Sequence, residues 1–424
     1  MNKLKEYKLN ELYSMSSGIS STKEQAGHGF PFVTFRDIFN NIFLPETLTS
    51  LMDTSEDERQ KCSVKKGDVF FTRTSETVDE LAMSSVAIKD YPNATFSGFA
   101  KRLRPIRTDL VYDKYMAFYF RSKYFRRIID ANTIMTLRAS FNDDIFSYIK
   151  VSIPEYEEQV KIGNFLYDIE EKIQKNIQIN NNLEELMKIL YQRWFIEFNF
   201  PNEDGKPYKS SDGKMVYNEE LKQEIPNNWC VETLYNNRLT SFVENGVEYF
   251  ESKEYLATGD VDGTDIVSSS IIDFETRESR ANMQPQENTV WFAKMKNSIK
   301  HLYFGDYSKE MIEKYILSTG FCGLKCEPNC LEYIISFINS EYFEIHKDVL
   351  AHGATQEAVN NTDLKGIKLI VPSNDILKKF QEEAYSAYEK IYFNKLENQK
   401  LTSLRDFLLP MLMNGQINVD DIKI

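Results

Sequence analysis

Residues 138–190 read RASFNDDIFSYIKVSIPEYEEQVKIGNFLYDIEEKIQKNIQINNNLEELMKIL, and residues 356–408 read QEAVNNTDLKGIKLIVPSNDILKKFQEEAYSAYEKIYFNKLENQKLTSLRDFL. Aligned without a gap at an offset of 218, they are identical at 14 of 53 positions. Chance would supply about three or four, at ~6–7% per position. The matches include Asn142/Asn360, Pro154/Pro372, Glu171-Lys172-Ile173/Glu389-Lys390-Ile391, Asn176/Asn394 and Asn180/Asn398. Weaker echoes precede them. FVTFRDI (32–38) faces YLATGDV (255–261) at 223, DVFFTR (68–73) faces TVWFAK (289–294) at 221, and SGFAKRLRP (97–105) faces TGFCGLKCEP (319–328) at 222. The drifting offset means small changes of loop length inside a duplicated unit. A period this long makes two domains rather than a stacked array.

Each copy predicts a globular part followed by a long helix. Short β-type runs (PFVTF, DVFFTR, SVAI, IKVSI) alternate with turn residues over 1–153, with one helical run near 112–130, so the class is α+β. Pro154 then opens a helix, and Glu155, Glu157 and Glu158 suit its positive end. Leu166, Ile169, Ile173, Leu183, Met187, Leu190 and Trp194 form a seam at 3/4 spacing, interrupted by Asn176 and Asn180. The second copy carries Ala384, Ala387, Ile391, Leu401 and Leu408, with Asn394 and Asn398 in the same places. Two helices with the same Asn pair are expected to pack on each other, the amides fixing register; two unconnected amphipathic helices are the other reading. A helix over 155–198 would be about 66 Å long, more than a domain this size needs for its core, so it acts as a spacer. The expected organisation is a first domain at 1–153, a first spacer helix at 154–198, an exposed connector at 199–228, a second domain at 229–372, and a second helix and tail at 373–424.

The chain has 424 residues and 42% hydrophobic content, enough for two or three cores. No run of ~18 apolar residues appears and the first residues are polar, so neither a membrane span nor a secretory leader is expected, and the default is a cytoplasmic protein. Five cysteines are not a disulfide framework. The net charge of −13 argues against indiscriminate nucleic-acid binding. The charge is uneven, however: residues 101–138 hold ten Lys/Arg against three Asp, and 288–305 hold Lys294, Lys296 and Lys300 with no acid. Basic stretches on an acidic body suit a DNA reader that also docks proteins.

These features together resemble the specificity subunit of type I restriction–modification systems. The marks are GDVFFTRTSETVDELAMSSVAIKDYPNATFSGFAKRLRP (67–105), IPEYEEQVKIGNFLYDIEEKI (153–173), LYQRWFIEFNFPNEDGKPYKSSDGKMVYNEELKQEIPNNW (190–229) and KLTSLRDFLLPMLMNGQI (400–417). The resemblance implies two target-recognition domains separated by two long helices packed as an antiparallel coiled coil, a pseudo-two-fold repeat. It further implies a noncatalytic subunit that reads a bipartite, asymmetric sequence on double-stranded DNA, one half per domain, the helices setting the gap. Two methyltransferase subunits are implied as partners, with motor and nuclease subunits joining where present. S-adenosylmethionine, Mg and ATP would then belong to those partners, and this chain would hold no cofactor. The acidic helix face with Glu155, Glu157, Glu158, Glu170 and Glu171 would be the docking surface.

Base edges are read by Arg, Lys, Asn, Gln, Ser and Thr, and phosphates by cations and hydroxyls around them. In the first domain the candidates are Thr72, Arg73, Thr74 and Ser75, together with Arg36, Lys101, Arg102, Arg104 and Arg138. Arg73 and Arg138 are expected nearest the bases, and Lys101, Arg102 and Arg104 nearer the backbone. In the second they are Lys294, Lys296, Lys300, Gln356 and Asn360. For any one of these, ordinary solvated surface is the competing reading. Arg121, Lys123, Arg126 and Arg127 fit a solvated helix face better than a phosphate track. The second copy departs at its helix start, VPSNDILKKFQEE lacking the EEQ of 157–159, and has FAKMKNS (292–298) in place of TRTS, so it should read different bases.

Neither an Asn/Asp-Pro-Pro-aromatic string nor a GxxxxGK[ST] loop is present, and four His (His28, His301, His346, His352) stand in no hydrolase spacing. Cys322, Cys326 and Cys330 at four-residue steps, and DVDGTD at 260–265, are weak metal-like patterns, and no metal is expected. A protein scaffold on a coiled-coil strut without DNA recognition is the alternative function, favoured by the −13 charge and opposed by the basic runs.

Overall fold

The computed structural model describes residues 4–75, 80–132, 139–354 and 356–422. It divides into two compact units. One comprises 1–174 with 398–424, the other 175–397, so the division falls within both long helices.

In the first unit the chain forms β1 (Lys5–Lys8), β2 (Tyr13–Ser17), β3 (Ala26–Val33), β4 (Val69–Thr72), β5 (Ser84–Val86), β6 (Thr95–Phe96), β7 (Ala100–Pro105), helices α1 (Asp113–Arg121) and α2 (Lys123–Asn132), and β8 (Lys150–Ile153). The main sheet runs β2-β7-β4-β5. β3 pairs in parallel with β6, and β1 pairs antiparallel with β8, tying the first strand to the last. The core is aromatic: Phe71 meets Phe120 at 5.0 Å and Phe141 at 5.1 Å, both edge-on. The single helical run expected near 112–130 is two helices. Ser122 ends the first and caps the second, its hydroxyl donating to Tyr119 O and accepting from Phe125 N.

The long helix α3 (Tyr156–Tyr191) follows, then one π-helical turn at Gln192–Ile196. It is 36 residues long, about 54 Å and shorter than its expected span. In its first turns Gln159 is fully buried and bridges Tyr112 N, Leu110 O and Pro154 O. Gln159, the last residue of the EEQ string, is therefore a clamp between helix and domain.

The second unit repeats the plan with β9 (Cys230–Thr233), β10 (Thr240–Phe242), β11 (Lys253–Leu256), β12 (Thr289–Ala293), β13 (His301–Phe304), β14 (Tyr315–Ser318), β15 (Phe321–Cys326), α4 (Leu331–Ile338), α5 (Glu341–Leu350), β16 (Lys368–Val371) and the long helix α6 (Asn374–Met413). Its sheet β10-β15-β12-β13 has the same strand order as the first, β11 and β14 are its parallel pair, and β9 closes against β16. The segment 199–228 is folded, not a bare connector. Phe200 stacks on Trp229 at 4.9 Å and on Tyr208 at 4.6 Å, and Met215–Asn218 pairs with Gln223–Pro226.

The long helices pack antiparallel within each unit, since rising numbers on one meet falling numbers on the other. In the first unit Glu170 pairs with Arg405 at 2.6 Å, and Asn398 Nδ2 donates to Ile173 O. In the second Asn180 Nδ2 donates to Ile391 O, Asn394 Nδ2 donates to Asn180 Oδ1 at 2.8 Å, and Asn176 Nδ2 donates to Glu397 at 2.7 Å. The 218 offset turns the Asn180–Ile391 bond into the Asn398–Ile173 bond. Ile169, Ile173, Met187, Ala384, Ala387 and Ile391 are buried around these amides.

The buried amide pair generates a prediction. Asn394→Ala leaves Asn180 Oδ1 without this donor and should cost about 1–3 kcal/mol in chemical denaturation. Replacing both Asn180 and Asn394 with Leu should cost less than the single change. A single variant of wild-type stability would remove the pair from the forces fixing register.

Candidate nucleic-acid interface

Arg73 directly follows β4, and Lys294 directly follows β12. The antiparallel registers Thr72↔Ala100 and Ala293↔Phe321 set each cation beside the turn that begins the next sheet strand. Four contacts then recur at one offset or the other. Arg73 N donates to Phe99 O at 2.8 Å, and Lys294 N to Gly320 O at 3.0 Å. Arg73 Nη1 reaches Gly98 O at 3.4 Å, and Lys294 Nζ reaches Thr319 O at 3.1 Å. Ser97 Oγ accepts from Phe99 N, and Ser318 Oγ from Gly320 N. Phe141 N donates to Arg73 O, and Val359 N to Lys294 O. The same backbone frame thus holds an arginine in one domain and a lysine in the other.

A second strip of chain lies alongside. Thr74 and Ser75 pair with Ser140 and Ala139. Met295 bridges Ala358, and Lys296 N donates to Glu357 O. This brings together Arg73, Thr74 and Ser75 in the first domain, and Lys294, Lys296 and the neighbourhood of Gln356 in the second. Arg138 lies outside the described residues, as do Glu76–Asp79; Gln356 is exposed. Lys296 is ion-paired with Glu357 at 2.8 Å, both partners about half exposed, a weak bond that a phosphate could replace. Lys300 Nζ donates to Thr258 O at 2.6 Å. Arg36 is exposed on the helix Phe35–Asn40, after β3.

Several candidates are placed elsewhere than expected. Thr72 is fully buried, donating to Glu80 O and accepting from Met83 N. Arg102 is 8% exposed, donates to Ser63 O at 2.6 Å and lies over Phe96. Arg104 grips the fully buried Asp68 through two bonds, at 2.7 and 2.6 Å, and also donates to Ser63 O. Lys101 is 7% exposed, with Asp143 at 3.8 Å. All three cations sit on β7, an inner strand where Lys101 and Arg102 are buried and Arg104 is half-buried, and their partners lie within the domain, so they serve its framework. Asn360, like Asn142, stands at the N-cap before the strand that leads into the long helix. Asn142 caps through its side chain, which accepts from Ile145 N, whereas Asn360 is exposed and caps only through its backbone. Arg121 is no solvated helix residue: it donates to Ser84 O, Ile38 O, Phe39 O and Asn41 O. Glu170 is likewise buried and paired, so it leaves the exposed acidic face.

Cys322, Cys326 and Cys330 are buried thiols whose pKa values burial pushes up, to about 12 for Cys322 and Cys330. Among the described residues no group of three His, Cys, Asp or Glu is placed to hold a metal ion. No helix among them is long and apolar enough to cross a membrane. Sequence reasoning missed Phe99, a large side chain 67% exposed beside Arg73.

Two α+β domains of one topology, each with a cation–turn frame, on antiparallel helices with paired amides, match known proteins. Residues 1–185 match the family model described as Type I restriction modification DNA specificity domain. That match spans the first domain and most of the first long helix, and over its whole length the chain is similar to type I restriction–modification specificity subunits. It is 24% identical over 428 residues to the MjaIX specificity subunit of Methanocaldococcus jannaschii, covering 98% of this chain and 93% of that one. Against the HindI specificity subunit of Haemophilus influenzae it is 22% identical over 487 residues, covering 98% and 100%. Its fold is similar to the crystal structure of the type I system S subunit from M. genitalium, with TM-score 0.60 and 12% identity over 97% and 96% of the chains.

Asp68 is the test of the framework role assigned to Arg104. Asp68→Ala strands a guanidinium next to Arg102 and should cost about 3 kcal/mol of stability. Denaturation of the full chain checks this, and a loss under about 0.5 kcal/mol would return Arg104 to the list of available cations.

Proposed function

We propose that this chain is the noncatalytic DNA-reading subunit of a type I restriction–modification complex, each domain reading one half of a bipartite, asymmetric target. The observation that carries this is the duplicated frame around Arg73 and Lys294, where the backbone is shared and the side chains differ. Shared backbone gives both domains the same approach to a base pair. Different side chains let them prefer different bases: Arg73 presents a fork suited to guanine O6 and N7, and Lys294 a single ammonium. Thr74, Ser75 and Arg138 in the first domain, and Lys296, Lys300 and Gln356 in the second, complete the reading surfaces, with Arg36 nearer the phosphates.

The long helices set the gap between half-sites. Their exposed acidic residues, Glu155 and Glu157 among them, dock two methyltransferase subunits, one for each copy of the module. S-adenosylmethionine, Mg and ATP are held by the partner subunits, in the cytoplasm. The match of residues 1–185 to the specificity-domain model and the full-length similarity to specificity subunits support the reading.

Base-resolved methylation sequencing of cells with the gene intact and deleted tests it. The expected result is a split, asymmetric motif that vanishes on deletion; an unchanged methylation pattern overturns the reading in favour of a scaffold. In the reconstituted complex, Arg73→Ala should weaken specific binding by about 1–3 kcal/mol and relax one base in one half-site only. Fluorescence anisotropy on DNA carrying each base at that position checks this, and an equal loss on all sequences would assign Arg73 to phosphate. Four residues inserted after Asn176 should change the gap or abolish binding; an unchanged gap would remove the helices from that role.

A further inference from the structure

Phe99 and Gly320 occupy the same place in the two domains. The N–H of each donates to a serine hydroxyl two residues earlier, Ser97 or Ser318. The carbonyl of each accepts from the backbone of the reading cation, Arg73 or Lys294. Where the second domain has no side chain, the first carries a phenyl ring that is 67% exposed. Phe99 is the second residue of a turn pinned from both sides. Gly98 N donates to Ile19 O at 2.7 Å, and Ala100 N to Ser97 O at 2.9 Å. A Cβ at position 98 would come within 2.9 Å of Ile19 O, so this turn packs tightly on the chain beneath it.

A single exposed phenylalanine is ordinary on a protein surface. This one differs in three respects: its backbone is fixed, it is bonded to the residue placed at the bases, and its counterpart at the same backbone position is glycine. Two domains that share a frame and must read different bases are expected to differ at such a position. In the major groove, the apolar feature a phenyl ring can read is the 5-methyl group of thymine. Resting on the reading of the first domain as a DNA reader, we propose that Phe99 is a specificity-determining residue. It contacts the methyl group of one thymine in the first half-site, next to the base pair that Arg73 meets, and the second domain makes no equivalent contact.

The test uses the chain reconstituted with its methyltransferase partners and the target found by methylation sequencing. Each thymine of the first half-site is replaced singly by deoxyuridine, which lacks only the methyl. One replacement should weaken wild-type binding about four- to tenfold, the scale of one buried methyl group. Phe99→Ala should weaken binding to the thymine-containing site by a similar factor, show no further loss on that uracil site, and leave the second half-site preference and the melting temperature unchanged. Phe99→Leu should restore part of the discrimination. Phe99→Ala binding with wild-type affinity overturns the proposal. So does a loss that is the same for thymine and uracil, which would indicate wedging or packing, and so does a first half-site without thymine. Failure of the wild-type complex to bind any site sequence-specifically would instead overturn the DNA-reading function itself.

Discussion

The register of one antiparallel strand pair, Thr72 against Ala100 in the first domain and Ala293 against Phe321 in the second, governs everything at the candidate interface. Because side chains alternate across a strand and Val69–Thr72 is buried throughout, a slip of one residue would exchange Val69 and Phe71 with Phe70 and Thr72 between two differently packed core faces and lift Arg73 off its turn. The edge-on contacts of Phe71 with Phe120 and Phe141 oppose such a slip, since the ring would lose the partners it packs against. Arg73 and Lys294 are therefore held by a sheet rather than carried on a free loop. A site on regular structure keeps its geometry within the narrow tolerance that reading base edges demands.

The same sheet explains an apparent contradiction in charge. Residues 101–138 are strongly basic by composition, yet Arg102, Arg104 and Arg121 spend their guanidinium groups on carbonyls and on Asp68 inside the domain. Burial pulls the Arg121 pKa down to about 10, still charged at neutral pH, and its carbonyl partners satisfy the cation. A guanidinium carries five donors in a fixed planar fork, against three on an ammonium, which favours Arg where several carbonyls converge. With those three cations occupied and a net charge of −13, less of the basic segment is free for phosphate than its composition suggests. Under the proposed function, partner subunits supply much of the nonspecific phosphate contact, and this chain supplies discrimination.

The duplication, the α+β class and the Asn-interrupted seam were legible in the amino-acid sequence because they rest on identities and helical spacing. Asn180 and Asn394 do meet. The role of the basic string at 101–104 was not legible: nothing in KRLR reveals that its strand lies inside the sheet with Lys101 and Arg102 buried. The echo of SGFAKRLRP and TGFCGLKCEP at 222 also misleads by one residue. The strand register requires 221, so that Ala100, not Phe99, corresponds to Phe321. A shared Gly-Phe string drew the alignment to matching letters, while one phenylalanine points out and the other is buried. Which face a side chain takes is set by hydrogen-bond register, and that is a property of two strands together. The connector at 199–228 is largely exposed, as its Pro, Gly and charges suggest, but those residues do not reveal that Phe200 and Ile225 fold it onto Trp229 and the core.

Where the two copies differ is itself ordered. At the helix start, Gln159 bridges three backbone groups in the first unit, and the 218 offset places Leu377, buried and apolar, at the same position in the second. Either solution anchors a helix to its domain, by hydrogen bonds in one case and by packing in the other, and neither side chain reaches the surface. The second group of differences lies at the reading frame: Arg73 against Lys294 and Phe99 against Gly320. Between these, the seam keeps its bonds, Asn180 to Ile391 O and Asn398 to Ile173 O. Under the proposed function, this distribution suits a subunit that reads an asymmetric sequence and engages two copies of one partner. On that reading, divergence hidden inside the anchors leaves the docking surface unchanged, divergence at the frame changes the bases preferred, and the repeated amide bonds keep the two seams alike.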